Sequence, residues 1–351
     1  MLIFLFLIPT FILCLLFPKS KSVALLMFLF MWLLWGWNTD NGDYANYKEA
    51  FESIQTGSLH ETGYEFGYGV VNYLFSSLGF SFRGFLIVYS FIVLGLIYTY
   101  FINSPYPAFM AAFYLPIFVM EYVFVRNFMI DALFFMFLLV NFSETNFKFL
   151  KSLAIFVMAA FFHTTAVIYL LFLLTYIKRL DTRKILFIVG GGIIFLVSSY
   201  TILLSFIDNE LILGKIDYYS SEDKPIGPAI AHVFIIFITY LFLHYNKDRL
   251  DVLSSTVKRN IEVMQKVNII TLIYIPLYFF MPDFSRFFKI LFTVNLFYVS
   301  YLFFYFPTLK PRLALIGIFL IINLFVLYQF ATSTLKLTYD PLINSNIIFD
   351  F

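Results

Sequence analysis

Charged residues make up only 13% of this 351-residue chain, about half the share that a soluble domain carries. Water alone cannot be its solvent. Cysteine occurs once, as Cys14 inside an apolar run, which excludes an internal disulfide and a cysteine metal cluster. The four histidines, His60, His163, His232 and His244, do not stand at ligand spacing and no HExxH occurs, so no metal centre is expected. Walker A, GxGxxG and GxSxG patterns are missing as well. Nucleotide hydrolysis, dinucleotide redox and serine hydrolysis therefore lack their usual signals, and no cofactor is expected. A net charge of +2 is too small to imply a nucleic-acid partner.

What the chain has instead is hydrocarbon: 62% hydrophobic residues, 50 of them Phe. Apolar runs cover about 3–17, 22–37, 84–102, 106–122, 127–142, 185–207, 228–245, 267–281, 290–306 and 313–333. Several approach the ~20 residues that a bilayer crossing prefers. The first run has no basic segment ahead of it and no small-residue cleavage site, so it reads as a retained membrane helix. The stretch 152–177 fits one long helix or two short ones meeting at His163. Basic clusters lie at both of its ends (Lys148 and Lys151; Lys178, Arg179, Arg183 and Lys184). A hairpin with His163 at its tip keeps both on one side.

With that choice, 15 of the 23 Lys and Arg residues fall on one face, which is expected to be cytoplasmic. The opposite face holds 16 of the 21 acids together with Lys48, Arg83, Arg126, Lys215, Lys224, Arg286, Lys289 and Lys336. The expected fold is all-α: a polytopic membrane protein with about 11–12 transmembrane helices, forming one integral membrane domain over 1–351. Its expected outer loops are 38–83 and 208–227, with a cytoplasmic loop at 246–266. The short apolar stretch 66–80 is too brief to span and suits a re-entrant or interfacial helix. Trp35 and Trp37 suit the aromatic belt at the interface, and Gly190, Gly191 and Gly192 suit close helix approach.

The outer side carries the chemistry. Arg126 lies in EYVFVRNFMIDALFF, with Glu121 and Asp131 each five residues away. It reads either as one half of an Arg–carboxylate pair joining two helices, or as an anion site, since guanidinium matches phosphate oxygens and keeps its charge when dehydrated. His163, beside Thr164 and Thr165, suits a helix-tip hydrogen bond, a phosphate donor or an acid–base group. Arg83, Arg126, His163, Lys215 and Arg286 together would suit a phosphate or pyrophosphate. In the first outer loop, Asp40, Asp43, Glu61 and Glu65 lie among Tyr44, Tyr47 and Tyr64; Tyr218 and Tyr219 stand near Lys215 in the second. Carboxylates next to aromatic faces suit sugars, and a carboxylate there can take a proton from a hydroxyl.

Several segments resemble one family in order. NTDNGDYANYKEAF resembles the G-x-D-x-x-x-Y-x-x-x-F opening of the EpsG-like branch of Wzy polysaccharide polymerases, and GYEFGYGVVNYLFSSLG the segment that follows it there. VRNFMIDAL is similar to its R-Q-x-x-A element, with Asn127 in the Gln position, and FFHTTAVIYL to its F-H-x-S-A element, with Thr165 for Ser. GKIDYY, SRFFKIL (with Leu291 in an aromatic position) and the tail TYDPLINSNIIF resemble its later elements. The resemblance implies a glycosyltransferase of the bacterial inner membrane. It would use undecaprenyl-pyrophosphate-linked oligosaccharide as donor and acceptor at the periplasmic face, with a chain-length regulator and a flippase as possible partners. Arg126 and Arg286 would clamp the pyrophosphate, supported by Lys215, Arg83 and His163. Asp43 would be the first choice of base, with Asp40 and Glu65 behind it and His163 able to exchange roles with a carboxylate. Tyr44, Tyr47, Tyr64, Tyr218 and Tyr219 would contact sugar. An O-antigen ligase is the nearest alternative. A lipid-linked oligosaccharide transporter ranks below it, because a transport path would need polar groups reaching the other side.

Overall fold

The computed structural model describes residues 2–56, 64–177, 179–205, 226–245, 254–280, 289–305 and 337–349, together with 314 and 317. The expected outer loop 208–227, with Lys215, Tyr218 and Tyr219, lies almost wholly outside them, as do Arg286 and the apolar run 313–333. Among the described residues the secondary structure is helical, with one isolated bridge between Asn38 and Asn346. The chain divides into two compact units, 1–170 with 299–307 and 330–351, and 171–298 with 308–329.

The first unit opens with two apolar helices, α1 (Leu2–Leu16) and α2 (Lys21–Gly36). Ser20 caps α2 by accepting a hydrogen bond from the Val23 amide at 3.2 Å, a use typical of serine at a helix start. The polar loop after α2 is partly helical: α3 runs Tyr44–Thr56. Its reason is legible in the spacing, since Tyr47, Ala50, Phe51 and Ile54 recur at i, i+3, i+4 and i+7 and all four are buried. α4 (Phe66–Ser77) is the short helix expected at 66–80. α5 (Phe82–Ile102), α6 (Pro107–Glu121) and α7 (Val125–Phe142) follow. Of the described helices, α5 and α7 are long and apolar enough to cross a bilayer by length and composition; α1, α2 and α6 are apolar but shorter.

α2 packs against α1, α5 and α6, and α7 packs against α5 and α8. Aromatic rings fill the seams, as where Phe28 meets Tyr98, Phe101 and Tyr114. Trp35 belongs to this core rather than to an interfacial belt: it is 1% exposed and lies 4.8 Å from Phe128 and 6.4 Å from Tyr89 between ring centroids. Its place on α2 turns it toward α5 and α7, which hydropathy alone does not reveal.

α8 (Lys148–Phe162) ends at His163, whose backbone is extended at φ −158°, ψ 125°. A 3-10 arm, Thr164–Tyr176, follows. The chain folds back sharply here, because the Phe156 and Tyr169 rings meet at 6.1 Å; in one straight helix they would stand about 20 Å apart. Both arms lean on α7, Phe156 against Phe137 at 4.7 Å and Tyr169 against Phe134 at 5.4 Å.

The segment 337–349 straps this unit. Asn38 donates its amide to the Pro341 carbonyl at 2.9 Å, and Asn346 donates its own to the Leu34 carbonyl at 2.9 Å. Tyr122 donates to the Thr338 carbonyl at 2.6 Å, and the Gly42 amide to the Leu337 carbonyl at 3.0 Å. The tail thereby fixes the turn that carries Asp40 and Asp43.

The second unit contains α9 (Thr182–Ser205), α10 (Ile226–Tyr245), α11 (Ser255–Ile270), a 3-10 turn at Thr271–Tyr274, α12 (Ile275–Phe280) and the start of α13 (Ile290–Tyr305). α11 begins well before the apolar run at 267, inside the stretch read as a loop. Ser254 caps it by accepting from the Val257 amide, and its polar first half is amphipathic, a pattern that mean hydropathy misses. Two buried polar clusters are paired here. Thr271 donates to the Asn268 carbonyl at 2.6 Å, so its oxygen accepts from His232 Nε2–H at 2.9 Å; His232 Nδ1 then accepts from the Tyr278 hydroxyl at 2.7 Å. These contacts assign the tautomer. Asn268 and Asn295 exchange amide hydrogen bonds at 2.8 and 3.0 Å. Of the three consecutive glycines, only Gly192 makes a close approach, to the Ile273 side chain; Gly190 and Gly191 face open space.

Candidate functional site

Glu65 stands at the N-cap of α4 without capping it. Its carboxylate reaches across to two other elements. One oxygen pairs with Arg126, in the first turn of α7. The other lies 3.0 Å from His163 Nδ1, 3.2 Å from the Thr164 amide and 3.3 Å from the Thr164 hydroxyl. Segments 61 and 99 residues apart in sequence thus meet on one carboxylate.

The approach is possible because Gly67 follows. A Cβ at Gly67 would stand 2.7 Å from the backbone oxygen and 2.9 Å from the carbonyl carbon of Phe161. Only a residue without one lets the first turn of α4 lie against the end of α8.

Arg126 is held on two more sides. Its guanidinium carbon lies 4.4 Å from the Tyr64 ring centroid, within cation–π range, and its charge also acts on the Tyr47 hydroxyl. Tyr47 and Tyr64 stack at 5.7 Å, and Tyr68 meets both edge-on at 5.8 and 5.4 Å. The Arg126 Nε is buried with no hydrogen-bond partner.

The electrostatics follow from this geometry. Burial by itself pushes the Glu65 carboxyl up, but the His163 hydrogen bond and the Arg126 charge outweigh it and hold the group well below the ordinary carboxylate range. Tyr64 is pushed up to about 12 by burial and by neighbouring Tyr47 and acids, against the pull of Arg126. The phenol therefore stays a neutral donor.

At 3.0 Å from a carboxylate, His163 Nδ1 must carry the proton. The Thr165 hydroxyl, 3.2 Å from the same nitrogen, is then an acceptor, and the 3.4 Å approach of the Thr165 amide is not a hydrogen bond, because both atoms would be donors. Nε2 has no hydrogen-bond partner among the described residues. A carboxylate on Nδ1 with Nε2 left open is the arrangement that makes imidazole a directed proton acceptor.

The other sequence-derived residues divide around this point. Asp43 is half-buried, and its charge acts on Tyr47 and Tyr64; its amide donates to Asn41 Oδ1 at 3.0 Å in a local turn. Asp40 and Arg83 are exposed. Burial raises Tyr44, and the Arg83 charge opposes that rise. Tyr47 is interior, at 6% exposure. Lys215, Tyr218, Tyr219 and Arg286 lie outside the described residues. Sequence reasoning offered Glu121 and Asp131 as partners for Arg126, whereas the acid in place is Glu65; Asp131 instead accepts from the Tyr169 hydroxyl at 3.4 Å. Thr164 enters the sequence reading only as a helix-tip neighbour of His163, and Gly67 does not enter it; only Gly67's position two residues after an acid in a glycine-flanked turn hinted at a close approach. Among the described residues, no group of three or more His, Cys, Asp or Glu is placed to hold a metal ion.

The model of the EpsG family matches residues 21–344, nearly the whole chain. No curated protein and no solved structure matches it. The match takes in every element of the Glu65–Arg126–His163 cluster and extends to the strap. With its run of apolar helices, this membrane protein belongs to the EpsG family.

Proposed function

We propose that the chain is a membrane polysaccharide polymerase of the bacterial inner membrane, working at the periplasmic face. It transfers an undecaprenyl-pyrophosphate-linked glycan onto a hydroxyl at the non-reducing end of another lipid-linked repeat unit. The observation that carries the reading is the convergence of Arg126 and His163 on Glu65, which joins a phosphate-matching cation to an oriented base.

In the proposed step the acceptor oxygen attacks the anomeric carbon of the donor. Its proton passes to His163 Nε2, the bond from the anomeric carbon to the bridging phosphate oxygen breaks, and the pyrophosphate leaves with that electron pair. Glu65 positions the imidazole and steadies the imidazolium that forms. Arg126 gives one edge of its guanidinium to Glu65 and has further N–H groups for the leaving oxygens. Since Glu65 neutralises Arg126, the attraction for a polyanion needs more cations, and Lys215, Arg286 and Arg83 are assigned that part. His163 replaces Asp43 as first choice of base, because its partner geometry is complete; Asp43 and Asp40 are left to hold sugar hydroxyls beside Tyr44.

The competing structural role for Arg126 is that of a helix tie. Removing one member of a half-buried pair costs about 3–5 kcal/mol, whereas removing both is much milder. The test is therefore the double variant Arg126→Gln/Glu65→Gln in a deletion strain, with surface glycan run on a gel. A well-expressed double variant that makes single repeats but no long chains supports the reading. Normal ladders would leave Arg126 and Glu65 as a structural tie and overturn it.

A further inference from the structure

The peptide unit that leads into Arg126 is held on both of its edges. α7 begins without help from its own N-cap, since the Phe124 side chain caps nothing, and the amides of a first helical turn have no partner inside the helix. The Arg126 amide finds one on another element. It donates to the Tyr47 hydroxyl of α3, and the same oxygen takes a hydrogen bond from the Arg126 guanidinium. On the other edge of that peptide, the Val125 carbonyl accepts from the Tyr89 hydroxyl of α5 at 3.3 Å. Two phenols from different helices thus grip one peptide bond.

Neither phenol is free to drift, because Tyr47 and Tyr89 are both buried. Phe51, one turn along α3 from Tyr47, stacks on Phe85 at 5.4 Å, and Phe85, one turn along α5 from Tyr89, lies 5.2 Å from it. Tyr68 of α4 meets both tyrosine rings, at 5.8 Å from Tyr47 and 6.2 Å from Tyr89. The guanidinium has three fixings of its own: Glu65 on one nitrogen, the Tyr64 ring against it and the Tyr47 hydroxyl. An arginine that swung freely would have to be ordered each time charge developed on a leaving group. One that is already held gives its remaining N–H groups a fixed direction.

We propose that Tyr47 and Tyr89 are positioning residues that aim Arg126, and that Tyr47 works through the guanidinium rather than on sugar. The inference rests on the polymerase reading for the step in which Arg126 acts.

The test measures initial rates of chain growth by the full chain in nanodiscs, with lipid-linked repeat units as substrate, alongside thermal melts. Tyr47→Phe is expected to lower kcat about tenfold, the scale of one hydrogen bond to a charged group. KM for the repeat unit should stay within about twofold, because the loss falls on an interaction that grows in the transition state. Tyr89→Phe, which frees only a neutral peptide carbonyl, is expected to lower kcat about threefold. A Tyr47→Phe enzyme with raised KM and wild-type kcat would place the phenol on sugar and overturn the proposal. So would a wild-type kcat in either variant, whatever its melting midpoint, since the phenols would then be structural only. The melts read the link to the guanidinium. In the Arg126→Gln/Glu65→Gln background one of the two hydrogen bonds to Tyr47 is already gone, so the midpoint drop caused by Tyr47→Phe should shrink to about half. An undiminished drop would overturn the proposal while leaving the polymerase reading intact. A shrunken drop in a protein whose wild type joins no repeat units would instead sink the polymerase reading and leave the two-phenol grip standing.

Discussion

Replacing Gly67 by alanine puts the geometry of the cluster under direct strain. The added methyl would lie 2.7 Å from the Phe161 backbone oxygen, and ordinary contact begins near 3.4 Å, so the first turn of α4 must withdraw by about 0.7 Å. Backbone cannot swing aside as a flexible side chain can. Glu65, two residues earlier, moves with that turn. Its 3.0 Å contact with His163 would lengthen to about 3.7 Å, and its 3.2 Å contact with the Thr164 amide to about 3.9 Å, both beyond hydrogen-bond reach. Freed from its carboxylate, the imidazole loses its orientation. Misplacement on this scale costs about 100-fold in rate. The assay is the initial rate of chain growth by purified Gly67→Ala protein, alongside Gly95→Ala, where an added methyl meets nothing within 4 Å. The Gly95 variant should match wild type. Wild-type rates from Gly67→Ala would refute the claim that close packing of α4 on α8 sets the Glu65–His163 contact.

Two further outcomes concern stability. Because the folded Glu65 carboxyl is held below its ordinary value of 4.5, its stabilising contribution is complete above that value and fades as pH falls through the depressed folded value. The stability gap between wild type and Glu65→Gln should therefore stay open from neutral pH to about pH 5. It should close only in stronger acid, as read by thermal melts across pH; a gap that closes near pH 6 would contradict the charge environment described. In the second unit, His232→Ala leaves the Tyr278 and Thr271 hydroxyls without their imidazole, which should cost about 2–4 kcal/mol. Denaturation in detergent should show that loss, and an unchanged midpoint would remove His232 as the pin of α10 to the 3-10 turn.

Much of the first unit was legible from where its apolar runs and breaks fall. The runs at 3–17, 84–102, 106–122 and 127–142 correspond to α1, α5, α6 and α7, and His163 marks the reversal because a polar residue interrupts hydrocarbon between two basic ends. What hydropathy cannot carry is direction. α3 and the first half of α11 are amphipathic, so their averages resemble loop while one face of each is buried. Trp35 shows the converse, a residue type common at interfaces that its helix turns inward. The cluster was half legible: Arg126, His163 and Glu65 each stood out as charge or imidazole close to hydrocarbon. Their meeting depends on the reversal at His163 and also on the Gly67 contact, which no local spacing encodes.

The strap has a consequence for assembly in time. Asn38 is held by the Pro341 carbonyl, 303 residues further along, which a ribosome needs about 15–60 s to reach. Throughout that interval the turn bearing Asp40 and Asp43 is without its last fastening. A newly made polypeptide therefore completes this corner only once residues 337–346 have been made, and fragments cut short before residue 337 would enter the bilayer with the corner still open.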